Sequence, residues 1–101
     1  MSAVTAADVG AAVRRDYPPA AVDGVLALLG TYGTEAWERD PELIRLALVR
    51  IVQGDGAQLP QWVEWAKRDW RDVLLAVQRT YGNAWDEAYL AELRAGGGAA
   101  R

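Results

Sequence analysis

The stretch that decides the predicted fold is residues 43–52, LIRLALVRIV. Wound as a helix at about 100° per residue, its apolar side chains point in nearly every direction. A helix that is apolar almost all round must be covered on most sides by other elements. Because a bilayer takes about 20 apolar residues to cross, this shorter stretch must be covered by protein. The sequence therefore predicts a small all-α domain with this helix at its centre.

The flanking residues favour a helix over a strand, which a short apolar run can also form. Asp40, Pro41 and Glu42 give a capping residue, a first-turn proline and an acid near the positive end of the helix dipole. Gly54 then ends the helix. No other segment reads as a partner strand, so a helix is expected.

Comparable signals predict a compact bundle of about five helices. Thr5 with Asp8 is a capping pair, and Pro18 and Pro19 separate the first helix from the second. The expected helices cover residues 5–17, 19–32, 41–53, 59–81 and 83–94, with the central one clasped by the second, long and last ones. Residues 1–95 then form one helical domain, and residues 96–101 a disordered Gly/Ala tail.

The long helix over residues 59–81 is predicted from phase. Nine apolar residues fall within about ±60° of one line: Leu59, Trp62, Val63, Ala66, Trp70, Val73, Leu74, Val77 and Tyr81. A break at Asp69, with Asp72 three residues on, is the competing interpretation. Phase continuity favours a single helix.

Composition excludes several kinds of chemistry. The chain has no cysteine and no histidine, so thiolate nucleophiles, cysteine–zinc sites and histidine bases are absent. There is no phosphate-binding glycine loop or nucleophile elbow, and the acids are not clustered as a metal site requires. We expect no enzyme, no cofactor and no metal. The net charge of −3 disfavours nucleic acid as a partner, and no signal or membrane segment is recognised, which predicts a cytoplasmic protein.

Trp65 and Leu75 are the candidate partner-binding residues. Both point away from the apolar line of the long helix, and Trp65 lies beside Asp69 and Asp72. Exposed tryptophan is enriched at interfaces. The alternatives are a partner or dimer surface, or cover by the N-terminal helix. The other tryptophans, namely Trp37, Trp62, Trp70 and Trp85, are expected to face inward.

Two further groups of charges have both an ordinary and a functional interpretation. Lys67, Arg68 and Arg71 could contact nucleic acid or phosphate, but acids alternate with them as on a solvated helix face. Arg50 lies on an otherwise apolar face of the central helix. Its side chain either extends to the edge of the core or forms a buried pair with a carboxylate.

The sequence also contains an internal echo. Thr31-Tyr32-Gly33 recurs as residues 80–82, with matching aspartate, leucine and alanine upstream and an Ala-Trp pair downstream. Repeated capping or a duplication with pseudo-twofold symmetry would each explain it.

Residues 66–77, AKRDWRDVLLAV, together with residues 43–55 and 31–33, resemble a group of small bacterial all-helical proteins with an AKRDYRDVL-type helix. Trp70 stands where those proteins have tyrosine, and this chain continues past their usual end. The resemblance covers residues 17–81 and implies a free-standing helical domain. No activity is assigned to that group, so no functional residue is transferred.

These observations together predict a non-catalytic cytoplasmic protein–protein interaction module. One form of this hypothesis is a homodimer that associates through Trp65 and Leu75. The alternative is a regulatory module that contacts nucleic acid or phosphate through Lys67, Arg68 and Arg71.

Overall fold

The computed structural model describes the backbone of residues 4–99 and the side chains of residues 4–95. It confirms an all-α fold, with six helices and no strand in the described residues. The helices are α1 (Ala6–Asp16), α2 (Pro19–Leu29), α3 (Pro41–Val52), α4 (Leu59–Arg68), α5 (Trp70–Tyr81) and α6 (Trp85–Ala99). No helix in this part of the chain is long and apolar enough to cross a membrane.

The start signal of α1 works as the sequence predicts. The Thr5 hydroxyl accepts a hydrogen bond from the Asp8 backbone N–H at 3.2 Å. The Asp8 carboxylate accepts one in return from the Thr5 N–H at 3.0 Å. This reciprocal pair satisfies two amide donors that the helix start would otherwise leave unpaired.

Asp40 departs from its expected capping role. It occupies the N-cap position of α3, but its side chain makes no capping hydrogen bond. Its backbone is left-handed, with φ 43° and ψ 62°. Pro41 follows at the first helical position, where its lack of an N–H costs nothing.

The prediction of a single helix over residues 59–81 is wrong, because the helix is interrupted at Asp69. That residue has an extended backbone, φ −155° and ψ 93°, and it lies between α4 and α5. Its carboxylate accepts a hydrogen bond from the Arg71 N–H at 3.1 Å and so caps α5. The apolar phase continues across the break, because both helices turn their apolar sides to the same core.

The central helix α3 carries the core. Its fully buried side chains include Ile44, Leu46, Leu48 and Val49. It packs closely against α1, α4 and α5. The prediction that the second and last helices cover the central helix is wrong, because α2 and α6 pack mainly on α1. The reason is that the break at Asp69 lets two helices, rather than one, lie against α3.

Two helix ends and one loop differ from the sequence prediction. α2 ends at Leu29, and a hydrogen-bonded turn leads to Gly33, which has a φ of +102°. Residues 34–40 form a loop in which Trp37 is exposed, so its predicted inward position is wrong. α6 continues to Ala99 rather than ending near Arg94, because glycine keeps its backbone N–H and so does not block the hydrogen bonds of a helix. Residues 100 and 101 of the predicted tail lie outside the described residues.

The internal echo is local in the structure. Gly33 and Gly82 both have positive φ, +102° and +94°. Downstream the two copies diverge, because Trp37 is exposed in a loop whereas Trp85 is buried at the start of α6. The shared feature is therefore the glycine turn after a tyrosine.

Candidate interaction surface

The partner-binding residues predicted from the sequence lie near the end of α4, at the break and in the first two turns of α5. We call Trp65, Asp69, Asp72 and Leu75 the α4–α5 corner. Trp65 stacks on Trp62, with ring centroids 4.9 Å apart and an interplanar angle of 28°. Its indole Nε1 donates a hydrogen bond to the Asp72 carboxylate at 3.3 Å, across the break. The structure therefore brings Trp65 and Asp72 into direct contact.

Trp65 and Leu75 are both exposed. The exposed fraction is 41% for Trp65 and 46% for Leu75. Leu75 follows Asp72 by three residues, so the two lie on the same side of α5. The N-terminal helix packs closely on α2, α3 and α6, and it leaves these side chains accessible.

The two aspartates have structural partners of their own. Asp69 caps α5, and Asp72 accepts the hydrogen bond from Trp65. Each carboxylate therefore fixes the local geometry of the corner. A partner would meet an indole that is already stacked and hydrogen-bonded, which reduces the entropy cost of binding.

The basic residues lie beside this corner without forming a continuous field. Lys67 is 4.0 Å from the Glu64 carboxylate, and Arg71 Nε is 3.5 Å from that of Asp69. Arg68 lines a shallow groove with Gln61 and Trp65. Exposed pairs of this kind contribute little to stability and are typical of a solvated helix face.

Arg50 is held by aromatic rings. Its guanidinium carbon lies 4.2 Å from the ring centre of Tyr81 and 4.6 Å from that of Tyr89. Its buried Nε has no hydrogen-bond partner, and within residues 4–95 no carboxylate forms an ion pair with it. The stem of Arg50 is therefore packed and its charge faces two π systems, an arrangement that stabilises a cation.

Asp16, at the end of α1, interacts electrostatically with Arg50 and Tyr89 of this cluster. Burial raises the pKa of its carboxyl, and the positive charges of Arg15 and Arg50 oppose that rise. Burial likewise raises the pKa of Tyr89. Since the unpaired Arg50 is at the last turn of α3, its charge also lies where the helix dipole favours a cation.

Sequence reasoning missed two residues that organise the region before α3. Glu38 is buried although it lies in a loop, and Arg45 reaches back from α3 to the end of α2. Arg45 donates to the carbonyl oxygens of Leu29 at 3.2 Å and Tyr32 at 2.6 Å. The Glu42–Arg45 spacing was the one readable signal, since it predicts their 3.1 Å ion pair.

Within the described residues, no group of three or more aspartates and glutamates gathers where it could hold a metal ion. In comparisons with known proteins, no family model matches the chain, and neither a curated protein nor a solved structure matches it significantly.

Proposed function

We propose that this chain is a non-catalytic protein–protein interaction module that binds through the α4–α5 corner. The observation that supports the proposal is the joint exposure of Trp65 and Leu75 on one preorganised corner. An exposed indole that keeps its ring stacked and its N–H bonded resembles the aromatic anchors of binding interfaces. The location of the protein in the cytoplasm and its kinship with the small bacterial helical proteins remain predictions.

A second copy of the chain is the first partner to test. The apolar part of the corner consists of two side chains, which is small compared with the roughly 800 Å² per partner of a stable interface. We therefore expect weak association, with a dissociation constant in the micromolar range or above. Such an equilibrium suits a transient regulatory contact.

Sedimentation equilibrium over a wide concentration range tests self-association. Wild type is expected to shift from monomer to dimer as its concentration rises. The double variant Trp65→Ser/Leu75→Ser is expected to stay monomeric, and Gly24→Ser on the exposed side of α2 serves as the matched control. If wild type and the double variant are equally monomeric at the highest concentration, the homodimer hypothesis is wrong.

The alternative, contact with nucleic acid or phosphate through Lys67, Arg68 and Arg71, has weaker support. Two of these three side chains already face acids, and the net charge of the chain is −3. If it held, binding to an oligonucleotide pool would fall steeply with salt.

A further inference from the structure

The loop before α3 is locked by a buried carboxylate. The Glu38 side chain accepts three backbone N–H hydrogen bonds on Oε1, from Gly33 at 2.7 Å, Thr34 at 2.9 Å and Glu35 at 3.1 Å. Only 6% of Glu38 is exposed. A loop held in this way keeps one conformation, because three of its amides share one acceptor.

A second tie holds the other end of the loop. The hydroxyl of the fully buried Tyr32 donates a hydrogen bond to the Arg39 carbonyl oxygen at 2.9 Å. The next residue, Asp40, has a left-handed backbone with φ 43°, which is unfavourable for a residue with a side chain. The fold therefore maintains a defined and locally strained path through residues 33–40.

This rigid loop presents Trp37 to solvent. Trp37 is 62% exposed and is the most exposed large apolar side chain among the described residues. Trp37 and Trp70 both line a groove of about 550 Å³, together with Ala36, Arg39, Asp40 and Arg71. Two indoles at an open groove, one of them on a preorganised loop, are suited to hold an apolar side chain of a partner.

The charges around the groove favour an anionic partner. Arg39 forms no ion pair among the described residues. Arg71 Nε lies 3.5 Å from the Asp69 carboxylate, and the Arg71 guanidinium carbon lies 5.4 Å from the ring centre of Trp70. The N-termini of α3 and α5 both begin at groove residues. The Asp69 carboxylate caps the N-terminus of α5, whereas that of α3 has no side-chain cap and adds partial positive charge. Asp40 is the one acid that lines the groove. The donors therefore outnumber the acceptors.

We propose that this groove, lined by Trp37, Trp70, Arg39 and Arg71, binds an acidic segment of a partner protein. An apolar side chain of that segment lies between the two indoles, and flanking carboxylates accept hydrogen bonds from the two guanidinium groups. Trp37 and Arg39 are absent from the α4–α5 corner, so the groove is a second surface that goes beyond the proposed function.

The test is selection from a random library of 12-residue peptides with the folded, full-length protein as bait. The expected result is a consensus with one large apolar residue next to aspartates or glutamates. For the selected peptide, Trp37→Ala and Arg39→Glu are each expected to weaken binding at least about tenfold. Both side chains are exposed, so neither substitution should disturb folding.

Indole N–H resonances locate the binding. Addition of the peptide is expected to shift the signals of Trp37 and Trp70 and to leave that of the buried Trp85 in place. Trp65→Ser/Leu75→Ser is the matched control and should bind the peptide as wild type does. That control also separates the two proposals. Substitutions at the α4–α5 corner should affect self-association and leave peptide binding unchanged, whereas substitutions in the groove should weaken peptide binding.

Three outcomes would overturn the inference. They are a selected consensus that is basic, proline-rich or uncharged; equal enrichment on a Trp37→Ala bait; and tighter binding of a 12-nucleotide oligothymidine than of any peptide. The last outcome would reassign the groove to single-stranded nucleic acid, where bases stack on the indoles.

Discussion

Replacement of Glu38 is the sharpest single test of how the loop is held. In Glu38→Ala the amides of Gly33, Thr34 and Glu35 lose their common acceptor. At a net value of about 1 kcal/mol for each hydrogen bond, the expected loss of unfolding free energy is about 3 kcal/mol. The value per hydrogen bond is below that typical of charged acceptors, because the residues around Thr34 are exposed and water can hydrogen-bond to the freed amides. The loss is a large part of the 5–15 kcal/mol typical of a domain.

The matched variant is Glu38→Gln, because all three bonds go to one oxygen that the amide side chain retains. It removes the charge and replaces the other oxygen by an NH2 group, so we expect it to lose about 1 kcal/mol. Urea unfolding measures both losses, and amide hydrogen exchange at residues 33–35 locates them. Equal losses for the two variants, or a loss below about 0.5 kcal/mol for Glu38→Ala, would refute the reasoning.

Two other predictions concern glycines and pH. Gly24 lies in an open helical position, so Gly24→Ala should stabilise the protein by up to about 1 kcal/mol. Gly33→Ala should destabilise the protein by more than that, because a Cβ at φ +102° would lie 2.8 Å from Pro41 Cβ. The melting temperatures of the two variants check these predictions, and a change of the same sign and size in both variants would contradict them. Hydrogen bonds, first of all from Arg94, lower the pKa of the Asp8 carboxyl below its ordinary value of 3.8. A lowered carboxyl pKa contributes stability that is complete above the unfolded-state pKa and is lost as pH falls through the folded-state pKa. The difference in unfolding free energy between wild type and Asp8→Asn should therefore shrink on going from pH 6 to pH 2, and a constant difference would show that Asp8 acts without its charge.

The sequence predicts the features of this fold that depend on neighbouring residues. The Thr5–Asp8 cap, the proline that starts α3 and the left-handed glycines at 33, 54 and 82 are each set by a few consecutive residues. The central position of residues 43–52 also follows, because an apolar surface on all sides requires cover.

Features that depend on the path of the chain are harder to predict from the sequence. Helical phase reports which side of a segment is buried and does not register a change of axis. It therefore favoured a single helix over the break at Asp69, which the capping pattern of Asp69 and Asp72 also allowed. Trp37 was expected inside from helical phase, but it lies in a loop, which has no helical periodicity to orient a side chain. The partners of Glu38 and Arg45 are set by how the turn after α2 folds back on α3.

For the candidate surface, the sequence singled out Trp65 and Leu75, and the structure leaves both exposed. The bond from Trp65 to Asp72 follows from the break, which the favoured single helix lacked. The groove at Trp37 was missed entirely, since it joins a loop to a helix start far along the chain.

Photo-crosslinking inside the native host cell tests the central claim most directly. A photoreactive phenylalanine analogue replaces Leu75 at the corner or, as a control, the equally solvent-facing Asp23 on α2. The proposed function predicts a discrete protein adduct, to a second copy or another chain, from position 75 and none from position 23. Adducts that are absent from position 75, or the same from both positions, would contradict it.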